Sequence, residues 1–158
     1  SWHITLTAQI LHEYAVENVD ISRVMSMLLI HDIVEIDAGD MFAFSDKAAL
    51  EEQREKEMAA LTRIFGLLPQ EQFQKYKALW LEFEGAETID ARFAKAMDSV
   101  LPLLQNMRNE GGSWVKHNVK KSQVIKRNRY LEGLAPQLWL YVCQQIDFAV
   151  TQGWLLDD

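Results

Sequence analysis

Ile21-Ser22-Arg23-Val24-Met25-Ser26-Met27-Leu28-Leu29-Ile30 runs directly into His31-Asp32-Ile33-Val34-Glu35-Ile36-Asp37-Ala38-Gly39-Asp40. In the first half only Ser22, Arg23 and Ser26 are polar, and Asp20 stands where an N-cap belongs, so the stretch predicts a central, buried helix. The second half carries one His and four carboxylates. Charge delivered at the end of a buried element is costly unless a metal, a partner or a proton neutralises it. The stretch is therefore a candidate site, although a structural ion-pair network reads the same way from sequence. Asp37-Ala38-Gly39-Asp40 breaks the helical pattern and holds its carboxylates on a turn.

Outward from this centre the periodicity stays helical. Ile4, Ala8, Leu11 and Ala15 predict a first helix over Trp2 to Val16. Ser45 or Asp46 is placed to cap a long helix reaching Phe65. Its Glu51–Glu57 charge run reads as a solvated face, with Glu52 and Lys56 at i,i+4 spacing. Pro69 opens a helix to about Phe83, and Thr88 or Asp90 opens another with Ile89, Phe93, Ala96, Val100, Leu103 and Met107 as its stripe. Gly111-Gly112-Ser113 reads as a loop, followed by helices over Lys120 to Leu131 and Pro136 to Gln152. About seven helices without strand alternation predict an all-α fold, a single helical bundle spanning 1–158.

The 158 residues are 49% hydrophobic and 25% charged, ordinary for a globular domain, and the net charge of −7 argues against a nucleic-acid or anionic-membrane surface. The single Cys143 fits a reducing compartment, and no apolar run approaches the ~20 residues of a membrane span, so the expected location is cytoplasmic. The chain opens at Ser1-Trp2-His3 already in a helical pattern and without Met, so residues upstream are expected to be missing.

Asp98 is the second departure from local expectation. It lies off the apolar stripe, on a face with Ala91, Ala94, Lys95 and Leu101, and the small alanines leave room for another element to approach. It is a candidate ligand from a distant part of the chain; the alternative is a pair with Lys95 or a solvated carboxylate. Pro102, four residues on, has no N–H for the Asp98 carbonyl, so a kink or a loosened turn is expected there.

His31-Asp32 followed by Glu35 and Asp40, then Asp98 within Ala91-Arg92-Phe93-Ala94-Lys95-Ala96-Met97-Asp98, resembles the HD-domain metal-dependent phosphohydrolases, in particular their 5'-deoxynucleotidase-type branch. The resemblance implies an HD-domain helical bundle holding one divalent metal through His, His-Asp and Asp. His31, Asp32 and Asp98 match three of these positions, and the first His would directly precede Ser1. His3 is the nearby substitute, one helical turn away; His12 lies on the opposite side of its helix. The mixed imidazole and carboxylate set suits Mn, Co, Fe, Ni or Zn.

The resemblance further implies a general acid or base at Glu35, and at Asp40 a group that orients water or holds the sugar. Lys95, Lys116 and His117 are candidates to meet a phosphate, with solvated or ion-paired side chains as the alternative. The implied activity is release of phosphate from a small nucleotide, deoxyribonucleoside 5'-monophosphates above all. The other reading is a nucleotide-binding or regulatory module without turnover. A carboxylate di-metal bundle is set aside, because no His has a Glu three residues before it. Members of this branch are often homodimers, and Trp80, Trp114, Trp139 and Trp154 suit either an interface or a core.

Overall fold

The computed structural model describes residues 1–41 and 47–158, without the side chains of residues 47–49. The expected caps Ser45 and Asp46 lie outside the described residues. The chain is helical: α1 (Trp2–Leu11), α2 (Ile21–Ile30), α3 (Glu35–Ala38), α4 (Lys47–Phe65), α5 (Gln70–Gly85), α6 (Ile89–Arg108), α7 (Gly112–Lys116), α8 (Lys121–Asn128), α9 (Leu131–Leu134) and α10 (Pro136–Thr151). Two tight 3₁₀ turns, His12–Tyr14 and His31–Val34, interrupt this order. Among the described residues the all-α class holds; the helices are more numerous and shorter than the periodicity suggests.

The caps explain why the two central helices start where they do. Asp20 accepts a hydrogen bond from the Arg23 amide at 3.1 Å, and Thr88 accepts one from the Ala91 amide at 3.1 Å, each satisfying a donor the helix cannot. A further bond, from the Asp20 amide to Asp90 at 2.9 Å, ties the start of α2 to the start of α6. The two helices pack along each other, with Val24, Met27 and Leu28 of α2 fully buried beside Phe93, Ala96, Met97 and Val100 of α6. Ala91 and Ala94 are also fully buried, so α6 rather than α2 is covered on nearly every side. Its small face is what admits its neighbours, as the sequence led one to expect.

Several boundaries differ, for local reasons. The first helix ends at Leu11 because the chain tightens through His12–Tyr14 before turning extended at Ala15. The Gly111-Gly112-Ser113 stretch is no plain loop: Gly111 takes φ +88 as N-cap of α7, where an added Cβ would fall 2.7 Å from the Trp154 Cβ. The expected Lys120–Leu131 helix divides into α8 and α9. Pro102 sits inside α6, which continues to Arg108. On α4 the Glu51–Glu57 run is not solvated throughout. Gln53 is buried and bonds the Gly39 carbonyl at 2.7 Å, while Glu52 and Lys56 form the exposed i,i+4 pair at 2.7 Å. Trp80 and Trp114 are buried in the core, and Trp139 and Trp154 pack against it. No helix among the described residues is long and apolar enough to cross a membrane.

Candidate metal and phosphate site

The end of α2 places His31 by tightening into the 3₁₀ turn His31–Val34. There the imidazole is buried against Phe83, with ring centroids 5.0 Å apart, and the indole N–H of Trp80 donates to the His31 carbonyl at 3.1 Å. The ring's Nδ1 lies 2.8 Å from the Leu28 carbonyl. A carbonyl only accepts, so Nδ1 must carry the hydrogen, and a neutral ring then points the Nε2 lone pair inward.

What Nε2 meets is carboxylate. Asp32 Oδ1 is 2.7 Å away and Asp98 Oδ1, brought across by α6, is 3.4 Å away. Nε2 is buried, and neither oxygen is aligned with it as a hydrogen-bond partner. A lone pair facing two anionic oxygens is repulsive unless a cation lies between them. In the metal-free protein that cation is a proton. Burial alone would lower the His31 pKa, but Asp32 and Asp98 outweigh it and push the value up to about 9. Burial likewise works against ionisation of Asp32 and Asp98, yet their contact with His31 holds both below the usual carboxylate range.

The same three groups fit a divalent metal. The bond from Nδ1 to a backbone carbonyl is the usual way a ligating His is oriented through its second nitrogen, and two carboxylates complete a mixed N and O donor set. Among the described residues no group of three or more His, Cys, Asp or Glu side chains is placed to hold a metal ion, so His31, Asp32 and Asp98 lie close together without forming a ready ligand set. Ser1, at the start of α1, donates its hydroxyl to Asp32 at 3.2 Å, which puts the beginning of the first helix against this set.

A metal must displace the His31 proton, so its apparent affinity should rise about tenfold per pH unit up to about pH 9. Calorimetric titration with Mn²⁺ should show about a hundredfold gain between pH 6 and pH 8. The sign for stability is opposite. The stabilisation gained by His31⁺ is fully present below its ordinary pKa of 6.5 and is lost as pH rises through about 9.

A cavity of about 570 Å³ opens over these three side chains, lined also by Glu35, Asp40, Glu57, Lys95, Arg127 and Asn128. Glu35 follows Asp32 at the first turn of α3, and its pKa is raised to about 7 by burial first and then by the charges of Asp32 and Asp40. Asp40 stands beyond Gly39, whose φ of +79 turns the chain, and the Gln53 bond to the Gly39 carbonyl anchors that turn to α4. Asp37 points elsewhere, into an ion pair with Arg63. Lys95 faces the cavity with Nζ 2.8 Å from Glu84 and 4.0 Å from the centre of the Phe83 ring.

His31, Asp32, Glu35, Asp40, Lys95 and Asp98 thus come together at one cavity, whereas Lys116 and His117 are exposed and outside its lining. His3 is exposed, and His12 contacts the Val19 carbonyl at 3.2 Å. The sequence reading missed Arg127, whose guanidinium is 3.8 Å from Asp98 Oδ2, and Glu57, whose carboxyl is raised by burial. The signal available for Arg127 was its place beside Asn128, an Asn that the helical pattern of α8 buries almost completely.

Comparison with known proteins bears on this geometry. The model of the HD domain matches residues 1–139. The 5'-deoxynucleotidase HDDC2 of Xenopus laevis is 35% identical over 88 residues, 56% of this chain and 43% of that protein. The human 5'-deoxynucleotidase HDDC2 is 32% identical over 83 residues, 52% of this chain and 40% of that protein. The chain therefore spans less than half the length of these curated relatives. A crystal structure of a "predicted metal-dependent phosphohydrolase" from Magnetospirillum magnetotacticum MS-1 is 47% identical, with a TM-score of 0.91, and the match covers 98% of this chain and 76% of that one. With a family match over most of its length and this likeness in fold, the chain belongs to the HD domain family.

Proposed function

We propose that the protein is a metal-dependent phosphomonoesterase acting on small nucleotides, with deoxyribonucleoside 5'-monophosphates as the substrate class. The observation that carries the reading is the buried His31 Nε2 turned toward Asp32 and Asp98 at the floor of a cavity that also holds Glu35. The relatives named 5'-deoxynucleotidase support the substrate class.

When bound, a divalent metal supplies positive charge for the phosphoryl oxygens and acidifies water. His31, Asp32 and Asp98 would hold it. Glu35, with a pKa raised to about 7, is suited to take a proton from the attacking water and return it to the leaving alkoxide. Asp40 would orient that water or accept a sugar hydroxyl. Lys95 and Arg127 would meet the phosphate's remaining charge, each now leaning on a carboxylate that substrate would replace or share. Burial of the floor by Trp80 and Phe83 lowers the local dielectric and strengthens every one of these contacts.

The test is phosphate release from deoxyribonucleoside 5'-monophosphates with added Mn²⁺ or Co²⁺. Release that stops on chelation and returns with metal supports the proposal; saturable nucleotide binding with no release under any of these metals would replace it with a binding module. The second reading rests on the absence, among the described residues, of any three His, Cys, Asp or Glu side chains placed to hold a metal. Arg127→Ala should raise KM about tenfold and change kcat less, since a charge-assisted contact to phosphate is present in both ground and transition states. Initial-rate kinetics at saturating metal would read the split.

A further inference from the structure

A second cavity, of about 660 Å³, opens on the other side of α6 and α8. Arg92 of α6 and Lys126 and Arg129 at the end of α8 supply its cations, and Glu17, Glu132 and the ring of Tyr130 also line it. Arg92 is separated from Asp98 by about 120° around the same helix, and Lys126 neighbours Arg127, so one pair of helices walls both cavities with different faces.

The charges in this cavity are unevenly satisfied. Arg129 bonds Glu132 at 3.0 Å, and the two cancel. The Nε of Arg92, one of the guanidinium's three nitrogens, is buried and has no hydrogen-bond partner among the described residues, a costly state for a donor that cannot shed its proton. Lys126 adds a second positive charge on the rim, against the single carboxylate of Glu17. A chain with a net charge of −7 has thus gathered a locally positive pocket around a half-buried arginine whose Nε is unpartnered among the described residues. Tyr130 is 41% exposed and lines the same opening.

We propose that this second cavity is a nucleotide-binding site separate from the HD site. Arg92 and Lys126 meet the phosphates, Tyr130 offers its ring to the base, and Glu17 accepts a hydrogen bond from a ribose hydroxyl or a base amine. The volume lies within the few hundred to a thousand Å³ common for small-molecule sites. The site requires no metal and no turnover, so it stands or falls independently of the phosphomonoesterase reading.

The experiment is calorimetric titration of the metal-free chain with adenosine 5'-triphosphate and, separately, with inorganic phosphate. The expected result is nucleotide binding that weakens about tenfold in Lys126→Gln and again in Arg92→Gln, weakens with added salt, and is unchanged in Lys75→Gln, an exposed cation that lines neither cavity. Equal affinity in wild type and Lys126→Gln, or the same loss in Lys75→Gln, would overturn the site. Inorganic phosphate binding as tightly as the nucleotide would overturn the nucleoside part of the proposal. Lys126 is exposed, so Lys126→Gln decides the matter even where Arg92→Gln unfolds the chain.

Discussion

Asp98→Ala is expected to lower phosphate release by roughly three orders of magnitude, the upper end of what one preorganised electrostatic contact contributes. The loss has two physical parts. A carboxylate proposed as a metal ligand disappears, and of the two carboxylates facing His31 Nε2 only Asp32 is left. Because Asp98 helps raise the His31 pKa to about 9, the same substitution should move the imidazole's titration in the metal-free protein downward. NMR titration of His31 reads this without any assay. A His31 inflection unchanged by Asp98→Ala would mean that the two side chains do not meet in solution, and the metal set would fall with it.

Glu35→Gln is expected to reduce kcat by about two to three orders of magnitude while metal content and KM stay near those of the unaltered protein, the range typical for removal of a general acid or base. Gln preserves the shape and loses the proton-transfer group. Glu35 is raised to about 7 by burial and by Asp32 and Asp40, so the pH–rate profile should contain an inflection at or below that value, since a bound cation pulls it down. That inflection should vanish in the variant.

The stability sign follows from the same shift. A carboxyl whose folded pKa lies above its ordinary 4.5 favours folding in its neutral form, an advantage present below 4.5 and lost as pH rises through about 7. Metal-free Glu35→Gln should therefore melt at a higher temperature than the unaltered chain at pH 8. Equal kcat in both proteins would remove Glu35 from the chemistry.

Local patterns carried much of this architecture. Asp20 and Thr88 announce the starts of α2 and α6 because a capping oxygen must stand just outside the first turn, a requirement set by the chain itself. Asp98 was visible as a carboxylate on a face of small residues, although only the resemblance linked it to His31-Asp32. The tight turn at His31–Val34 was not legible, since its residues would equally continue a helix, and what bends them is Trp80 reaching from α5 to the His31 carbonyl.

Charge on α4 and α8 misled for a related reason. Gln53, Glu57 and Arg127 look like solvent residues by type, but each lies on the helix side that turns toward the cavity. Whether a polar side chain faces water or a wet pocket depends on packing far away in the chain. The exposed placement of Lys116 and His117 has the same origin: the glycines that read as a loop instead start the short α7, whose Trp114 is fixed in the core.

The bond from the Asp20 amide to Asp90, with the packing of α2 along α6, has a kinetic consequence. The histidine sits at the far end of α2 and the distant carboxylate at the middle of α6, two helices joined at their starts. Neither can meet the other until those helices have docked along their length. Site assembly therefore follows the long-range step in folding, the slow one for contacts widely separated in sequence. An ion held by both helices would act as a late latch, leaving the rate of folding nearly unchanged while slowing unfolding.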